Sequence, residues 1–574
     1  MERAAEIARI YGVMGALRFG EAAEECLRAI AGDIGPVPEA QFLSLLTMSE
    51  YYRGEFAAAI VAGERAAAVA RQTDDPAALL FALPAQLLAN GELPLEASGD
   101  DPEFGAVTFE EAMALTPSLA ALSPELRLIA GHQLAEAAFV NGRFAEASAV
   151  LDLLEDVVGS SFTTAGNVNA SAYFMLLRPA RIAIFGGHVL EAMAIVEQVA
   201  ALAVANDNVV GRTATTSMLA MLAGNSGDRA GARTLAATIP TLWPHPSGQI
   251  ESAFYVVAAY GLAAAGDLQP AAELIRAGCP MPSLRTLQTA DRALCFEILA
   301  LAALDAGRID EARGWGEQIL PLALHPVASA IAARLIGQLE LADGSPLTSA
   351  ELAEISIARA RISGNFRDEL LGEVLRARSL ALTGSRETAI DGLENVALAA
   401  ERVGNTTIHR AAARELRRLG RRVPPSSFAG WSGLSDREKQ IALLVADGHT
   451  NRIIARSLFL SERTVQAHVS RVLGALGIDS RTSVPARVKQ LGGSASAEVA
   501  ATLTPRQHET ALLVASGASN QGIAAQLGIS VKTVEKHIGE VFLRWGVSSR
   551  TGIARIVVAL TEGADPAVDN DAAS

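Results

Sequence analysis

Lysine is nearly missing from this chain. Its 574 residues hold four, Lys439, Lys489, Lys532 and Lys536, and none before position 439. A phosphate-cradling Gly-x4-Gly-Lys-Ser/Thr loop needs a lysine after a glycine run, and none of the four follows one. Cysteine is as scarce. Cys26, Cys279 and Cys295 are scattered and odd in number, which excludes a disulfide framework and reads as small buried side chains in a reducing compartment. No Cys/His cluster has metal-ligand spacing, and no Ser/His/Asp or paired-carboxylate arrangement stands out. No catalytic, cofactor-binding or metal-binding residue is therefore assigned, and an enzyme is not expected. Aromatics are only 5% of the chain, a shortage that disfavours sheets. No apolar run reaches the roughly 20 residues of a membrane span. The charged start MERAAEIARI lacks a signal-peptide core, so a cytoplasmic location with no membrane partner is expected.

What is abundant is alanine, leucine and valine, which favours packed helices, and the length calls for several cores. Charge is divided unevenly. Residues 1–400 carry 26 Arg and 48 acidic residues, a net of −22, whereas residues 401–574 carry 22 basic and 15 acidic residues, a net of +7. An acidic body with a basic C-terminal portion is the asymmetry expected of a DNA-tethered protein.

Along the acidic body a phrase recurs: glycine, four residues, alanine. It begins at Gly54, Gly142, Gly187, Gly227, Gly266, Gly307 and Gly384, with intervals of 45, 40, 39 and 41 residues from Gly142 to Gly307. The last gap, 77 residues, is close to two periods, with a degenerate copy expected near Gly344. A period near 40 fits two helices and two turns, the glycine closing one helix in a left-handed cap and the alanine admitting close packing of the next. Such hairpins bury their apolar faces only by stacking, so residues 1–425 are predicted to form an α-solenoid. The array resembles tetratricopeptide-like repeats, although its period exceeds 34 residues and the full motif is absent. The segment ESAFYVVAAY, residues 251–260, is read as core rather than as a ligand box. Arginines 414, 417, 418, 421 and 422 end the array, either solvating its last helix or brushing DNA phosphates, and Pro424-Pro425-Ser426-Ser427 forms a linker.

The last quarter says the same thing twice. Residues 434–482 and 503–551 align at a constant offset of 69 without a gap. In the first copy Ser435 is a predicted N-cap for a helix through Asp447, closed by Gly448. Thr450 or Asn451 opens a second helix with Ile454, Ala455 and Leu458 inward. After a turn at Phe459-Leu460, Ser461 caps a third. Two short helices joined by a tight turn are helix-turn-helix geometry. On the third helix Val465, Val469, Val472 and Leu476 form an inward stripe. Arg463, Gln466, Ala467, Ser470 and Gly474 face the opposite way, where Gln466 can pair with a base edge, usually adenine. In the second copy the stripe is Val534, Ile538, Val541 and Trp545, and the outer face is Lys532, Glu535, Lys536 and Gly539. Lys536 suits guanine or phosphate, Glu535 suits cytosine, and Glu535 and Glu540 burden this helix near phosphates. His468 and His537 sit at the stripe's edge, for packing or phosphate orientation more than base reading. Thr464, Arg471, Thr533 and Arg544 complete the candidate DNA-contacting set.

The phrases L-S/T-x-R-E/Q, G-x-T/S-N, S-x-x-T-V-x-x-H and G-x-x-S-R-T resemble LuxR-type DNA-binding domains over about 60 residues in each copy. The resemblance implies a four-helix domain, with a fourth helix after Arg481 and after Arg550 that often mediates dimerisation in the family. It places base contacts on Gln466, Ala467 and Ser470, and on Glu535, Lys536 and Gly539. The lysines common at the first and third of these positions are missing from both copies. The array is similar to the sensor region of large maltose-regulator-like activators, but an N-terminal ATPase like theirs is not expected here, so ATP gating is not carried over.

The fold class expected is all-α, a tetratricopeptide-like solenoid followed by two tandem four-helix LuxR-type domains. The domains are 1–425, the repeat region for sensing or interaction; 426–490, the first module; 491–502, a linker; 503–562, the second module; and 563–574, an acidic disordered tail. Twelve linker residues reach at most about 40 Å and average roughly 20 Å, enough for half-sites about 34 Å apart. The reading is a transcription regulator whose array senses a small molecule, peptide or protein and whose modules bind double-stranded promoter DNA. RNA polymerase and a second copy of the chain are the further partners it brings. Two alternatives stand beside it: only one module reads DNA, or the protein is a solenoid scaffold whose modules make protein contacts.

Overall fold

The computed structural model describes residues 2–73, 75–92, 109–154, 170–421, 434, 436–446, 449–458, 460–475, 484, 503, 505–515, 518, 520–545 and 553. The expected linkers at 424–427 and 491–502, the tail 563–574, and the cap positions Ser435, Asp447 and Gly448 lie outside them. Among the described residues every regular element is helical, and no helix is long and apolar enough to cross a membrane. Two compact units divide the chain, residues 1–424 and 425–574.

The larger unit is a run of helix hairpins whose turns are set by glycine. At Gly227, where φ is +83°, the helix Val209–Ser226 stops; the amides of Gly227 and Asp228 return to the carbonyls of Gly224 and Ala223, at 3.0 and 2.8 Å. This double closure requires a left-handed residue, which glycine adopts without a Cβ clash. The other six phrase glycines also have positive φ, as does Gly344 of the degenerate copy. The alanine five positions on is fully buried in every case, from Ala59 to Ala389. Ser349 takes that place after Gly344, its hydroxyl 2.8 Å from that of Ser379. Gly364 and Gly404 mark the opposite turns, between hairpins, and lack the alanine because the next helix starts a new pair.

The first helix of each hairpin faces inward. Arg334, on the helix Ala328–Ala342, joins its two inner neighbours. Its Nε and Nη2 bond Glu297 at 2.7 Å each, and its Nη1 lies 3.3 Å from Asp368. Elsewhere the inner helices come closer than side chains permit. A Cβ on Gly224 would stand 2.0 Å from the carbonyl oxygen of Gly261, and one on Gly261 would stand 2.2 Å from that of Ala220.

The array also curls back on itself. The hydroxyl of Thr407 donates to the Gly224 carbonyl at 2.7 Å, Asn405 Nδ2 to Asn225 Oδ1 at 3.3 Å, and Arg410 to the Gly227 carbonyl at 3.2 Å. Thr289 donates from its amide and hydroxyl to Glu92 Oε2, at 2.8 and 2.7 Å. Burial is the larger influence on Glu92 and raises its carboxyl. The three cysteines are free and buried. The aromatic segment 251–260 is core, with Phe254, Tyr255 and Tyr260 buried, but Phe254 and Tyr260 also border an internal cavity.

Candidate nucleic-acid interface

In the first module the helices are Asp436–Ala446, Asn451–Ser457 and Glu462–Ala475; in the second, Pro505–Ala515, Asn520–Leu527 and Val531–Trp545. Side-chain oxygens start three of them, as expected of Ser and Thr. Thr450, not Asn451, caps its helix, accepting from the Ile453 amide at 3.4 Å. Ser461 accepts from the Thr464 amide at 3.1 Å and Ser530 from the Thr533 amide at 3.1 Å. The hydroxyls of Thr464 and Thr533 close the same caps, 2.8 and 2.7 Å from those serines. The structure therefore gives these two threonines a capping role at the start of the third helix.

Each third helix buries one stripe. Val465 and Val472 are inaccessible and Val469 nearly so; Val534, Ile538 and Val541 repeat the pattern. Ile454, Ala455 and Leu458 are buried beneath them. Val484 and Ile553, the described residues after Arg481 and Arg550, are also buried in these small cores. On the opposite side Gln466, Ser470, Lys532, Glu535 and Lys536 are exposed, and a Cβ on Gly539 would meet nothing within 4 Å. The side chains of Arg463, Ala467, Arg471, Gly474, Arg544 and Trp545 lie outside the described set, as does Leu476.

The motif residues divide between scaffold and surface. Arg437 ties the first helix to the end of the second, donating to the Leu458 carbonyl at 2.5 Å. His468 is mostly covered, its Nδ1 3.7 Å from Glu438 of the first helix. In the second module Gln507 takes the place of Glu438 and donates to Glu540 Oε2 at 2.6 Å. His537 Nδ1 and Lys536 Nζ lie 3.7 and 3.9 Å from the same carboxylate. Glu540 is thus held by Gln507 beside His537 and Lys536, while Glu535 is exposed on the open face. Both histidines sit at the packing edge.

Two surface residues escaped the sequence reading. Arg452 and Arg456 are exposed on the second helix of the first module, where the second copy has Gln521 and Ala525. The offset of 69 pairs these positions directly, so comparing the copies away from the third helix would have found them.

A short helix held across a capped, tightly turned pair, with its apolar stripe buried and its polar face open, is the geometry of a helix-turn-helix DNA-binding module. The C-terminal portion carries it in LuxR form: residues 432–486 and 501–557 match the family described as bacterial regulatory proteins, luxR family. The chain is 26% identical over 467 residues to an HTH-type transcriptional regulator of Mycobacterium tuberculosis, covering 74% of this chain and 50% of that protein. The DNA-binding transcriptional activator DevR/DosR of the same organism is 47% identical over 51 residues, which is 9% of this chain and 24% of that one. A crystal structure of the APC/C hetero-tetramer Cut9-Hcn1 overlaps 71% of this chain and 91% of its own at a TM-score of 0.27 and 10% identity. The first relative's match thus spans half of its length.

Proposed function

We propose that this protein is a sequence-specific DNA-binding transcription regulator, in which the helical array senses a ligand or partner and the two C-terminal modules occupy adjacent promoter half-sites. One observation carries the reading: two helix-turn-helix modules share a buried stripe and present different residues on the open face of the third helix. Gln466, Ala467 and Ser470 in one, and Glu535, Lys536 and Gly539 in the other, are the proposed base-reading positions. Arg463, Arg471, Lys532 and Arg544 are assigned to phosphates, together with Arg452 and Arg456. Thr464, Thr533, His468 and His537 hold the reading helices in place. Unequal readers imply unequal half-sites, and a short tether between them raises local concentration to the millimolar range. The reading implies action in the cytoplasm, with RNA polymerase and a second copy of the chain as further partners.

The test is binding of the full chain to promoter fragments at graded salt, with footprinting. Direct binding weakens steeply as salt rises and protects two neighbouring half-sites. Binding with neither sequence preference nor salt slope would indicate a scaffold that uses the modules for protein contacts. One protected half-site, unaffected by disabling the second module, would reduce the reading to a single working module.

A further inference from the structure

Within the array, the inner helices and the helix Glu2–Gly15 line a half-open cavity of about 150 Å³. Its wall is mainly apolar and adaptable: Met48, Met218, Met221, Phe174 and Phe254 all border it. Thioethers and rings of this kind mould to a flat or compact apolar body. An apolar cavity of this volume holds about one benzene-sized molecule.

Glu136 and Asp291 bring buried carboxylates to the wall, and His132, Arg178, Gln249 and Tyr260 are further polar side chains there, each at least nine-tenths buried. Five atoms of these last four have no hydrogen-bond partner, namely His132 Nε2, Arg178 Nε and Nη1, Gln249 Oε1 and the Tyr260 hydroxyl. The helix Gln249–Ala264 supplies two of these side chains, and the helices Pro124–Val140 and Ala170–Phe185 supply one each. Buried polar groups are nearly always partnered, so several unsatisfied ones around a single apolar space point to a ligand that completes them.

Their chemistry is mostly that of donors. Arg178 gives one nitrogen, Nη2, to Glu136 and keeps two, Nε and Nη1, in reserve. The Tyr11 hydroxyl lies 2.5 Å from His132 Nδ1; with the phenol donating, the ring hydrogen sits on Nε2. Burial, with Arg178 nearby, depresses His132 to about 3 and keeps the ring neutral. A second guanidinium, Arg181, borders the cavity 3.7 Å from Asp291.

We propose that this cavity binds a compact apolar molecule, of single-ring size, bearing one carboxylate or carbonyl group that accepts from Arg178, His132 and the Tyr260 hydroxyl. A saccharide would bring many hydroxyls to a wall that offers few polar atoms. The proposal rests on the sensing role given to the array above, and names its ligand.

The experiment titrates the full chain, by calorimetry and thermal shift, with phenylacetate, its neutral amide and a disaccharide. One equivalent of phenylacetate or of the amide binds and raises the melting temperature, the stronger of the two deciding between carboxylate and carbonyl. Ala253→Phe, which fills the cavity, abolishes binding. Tyr260→Phe, which leaves the packing intact, weakens it about fivefold. Circular dichroism confirms that both variants fold. Failure of both ring compounds to bind, preference for the disaccharide, or undiminished binding in Ala253→Phe would overturn the proposal. Promoter affinity is read separately with the compound bound: no change there removes the sensing role and leaves the site standing.

Discussion

Gln466 and Glu535 occupy the same position on two copies of one helix and offer opposite chemistry, an amide that can both donate and accept against a carboxylate that only accepts. Gln466→Ala is therefore expected to relax sequence preference at one base pair, at a cost of about 1–3 kcal/mol of discrimination. Arg452→Ala or Arg456→Ala is expected to weaken all sequences alike and to lower the salt slope by about 1 each. Binding series at several salt concentrations distinguish the two behaviours. Equal loss on every sequence for Gln466→Ala would mean that the reading helix is turned differently. A second residue-scale effect concerns acid. His325 Nδ1 accepts from the amides of Val327 and Ala328, both at 3.2 Å, where the helix Ala328–Ala342 begins. Burial depresses its pKa to about 4. The unfolded ring protonates below about 6.5, so the unfolded state binds more protons and stability falls as pH drops from there towards 4. Between about pH 7 and about pH 5.5 the loss is about 1 kcal/mol. His325→Asn keeps a cap acceptor that does not titrate, and urea unfolding at the two pH values should show it losing about 1 kcal/mol less than the parent chain. Equal losses would refute the cap's titration.

At the scale of elements, the close crossing of Val209–Ser226 and Gln249–Ala264 depends on two missing methyl groups. Gly224→Ala places a Cβ against the Gly261 backbone, and overpacking of this kind costs about 1–3 kcal/mol. Thermal unfolding of the full chain should show the loss, and a neutral result would mean that the helices separate freely. The hairpin units were legible in sequence because one turn in each makes two local demands, a left-handed glycine and a small residue five positions later. The opposite turns at Gly364 and Gly404 were not, since only the glycine is required there. Capping in the first DNA-binding module was legible for the same local reason: Thr450 and Ser461 each satisfy an amide three residues away. The cavity was not legible. Tyr11, His132, Arg178 and Tyr260 reach it from four different helices, and no spacing rule links residues so far apart in the chain. The segment 251–260 showed the limit, since its aromatic side chains serve both core and cavity and their composition is the same either way.

For the molecule as a whole, the chain divides into two compact units, residues 1–424 and 425–574; at that boundary the array keeps the negative charge, with 33 basic and 50 acidic residues, and the C-terminal unit is nearly balanced, with 15 basic and 13 acidic. On the proposed reading, two unequal modules joined by a short linker make binding depend on half-site spacing. Adding five base pairs between half-sites puts the second site about half a helical turn out of phase, and affinity should fall towards that of one module; a footprint indifferent to spacing would mean independent binding. The curling of the array has another consequence. In an ordinary solenoid each repeat answers only to its neighbours, so it can fray from either end and melt in stages. Here Thr407 is fastened to Gly224 and Thr289 to Glu92, across separations of 183 and 197 residues. Such an object behaves less like a stack than like a closed coil. Losing its last turn removes support from its middle, and its unfolding should be a single cooperative event.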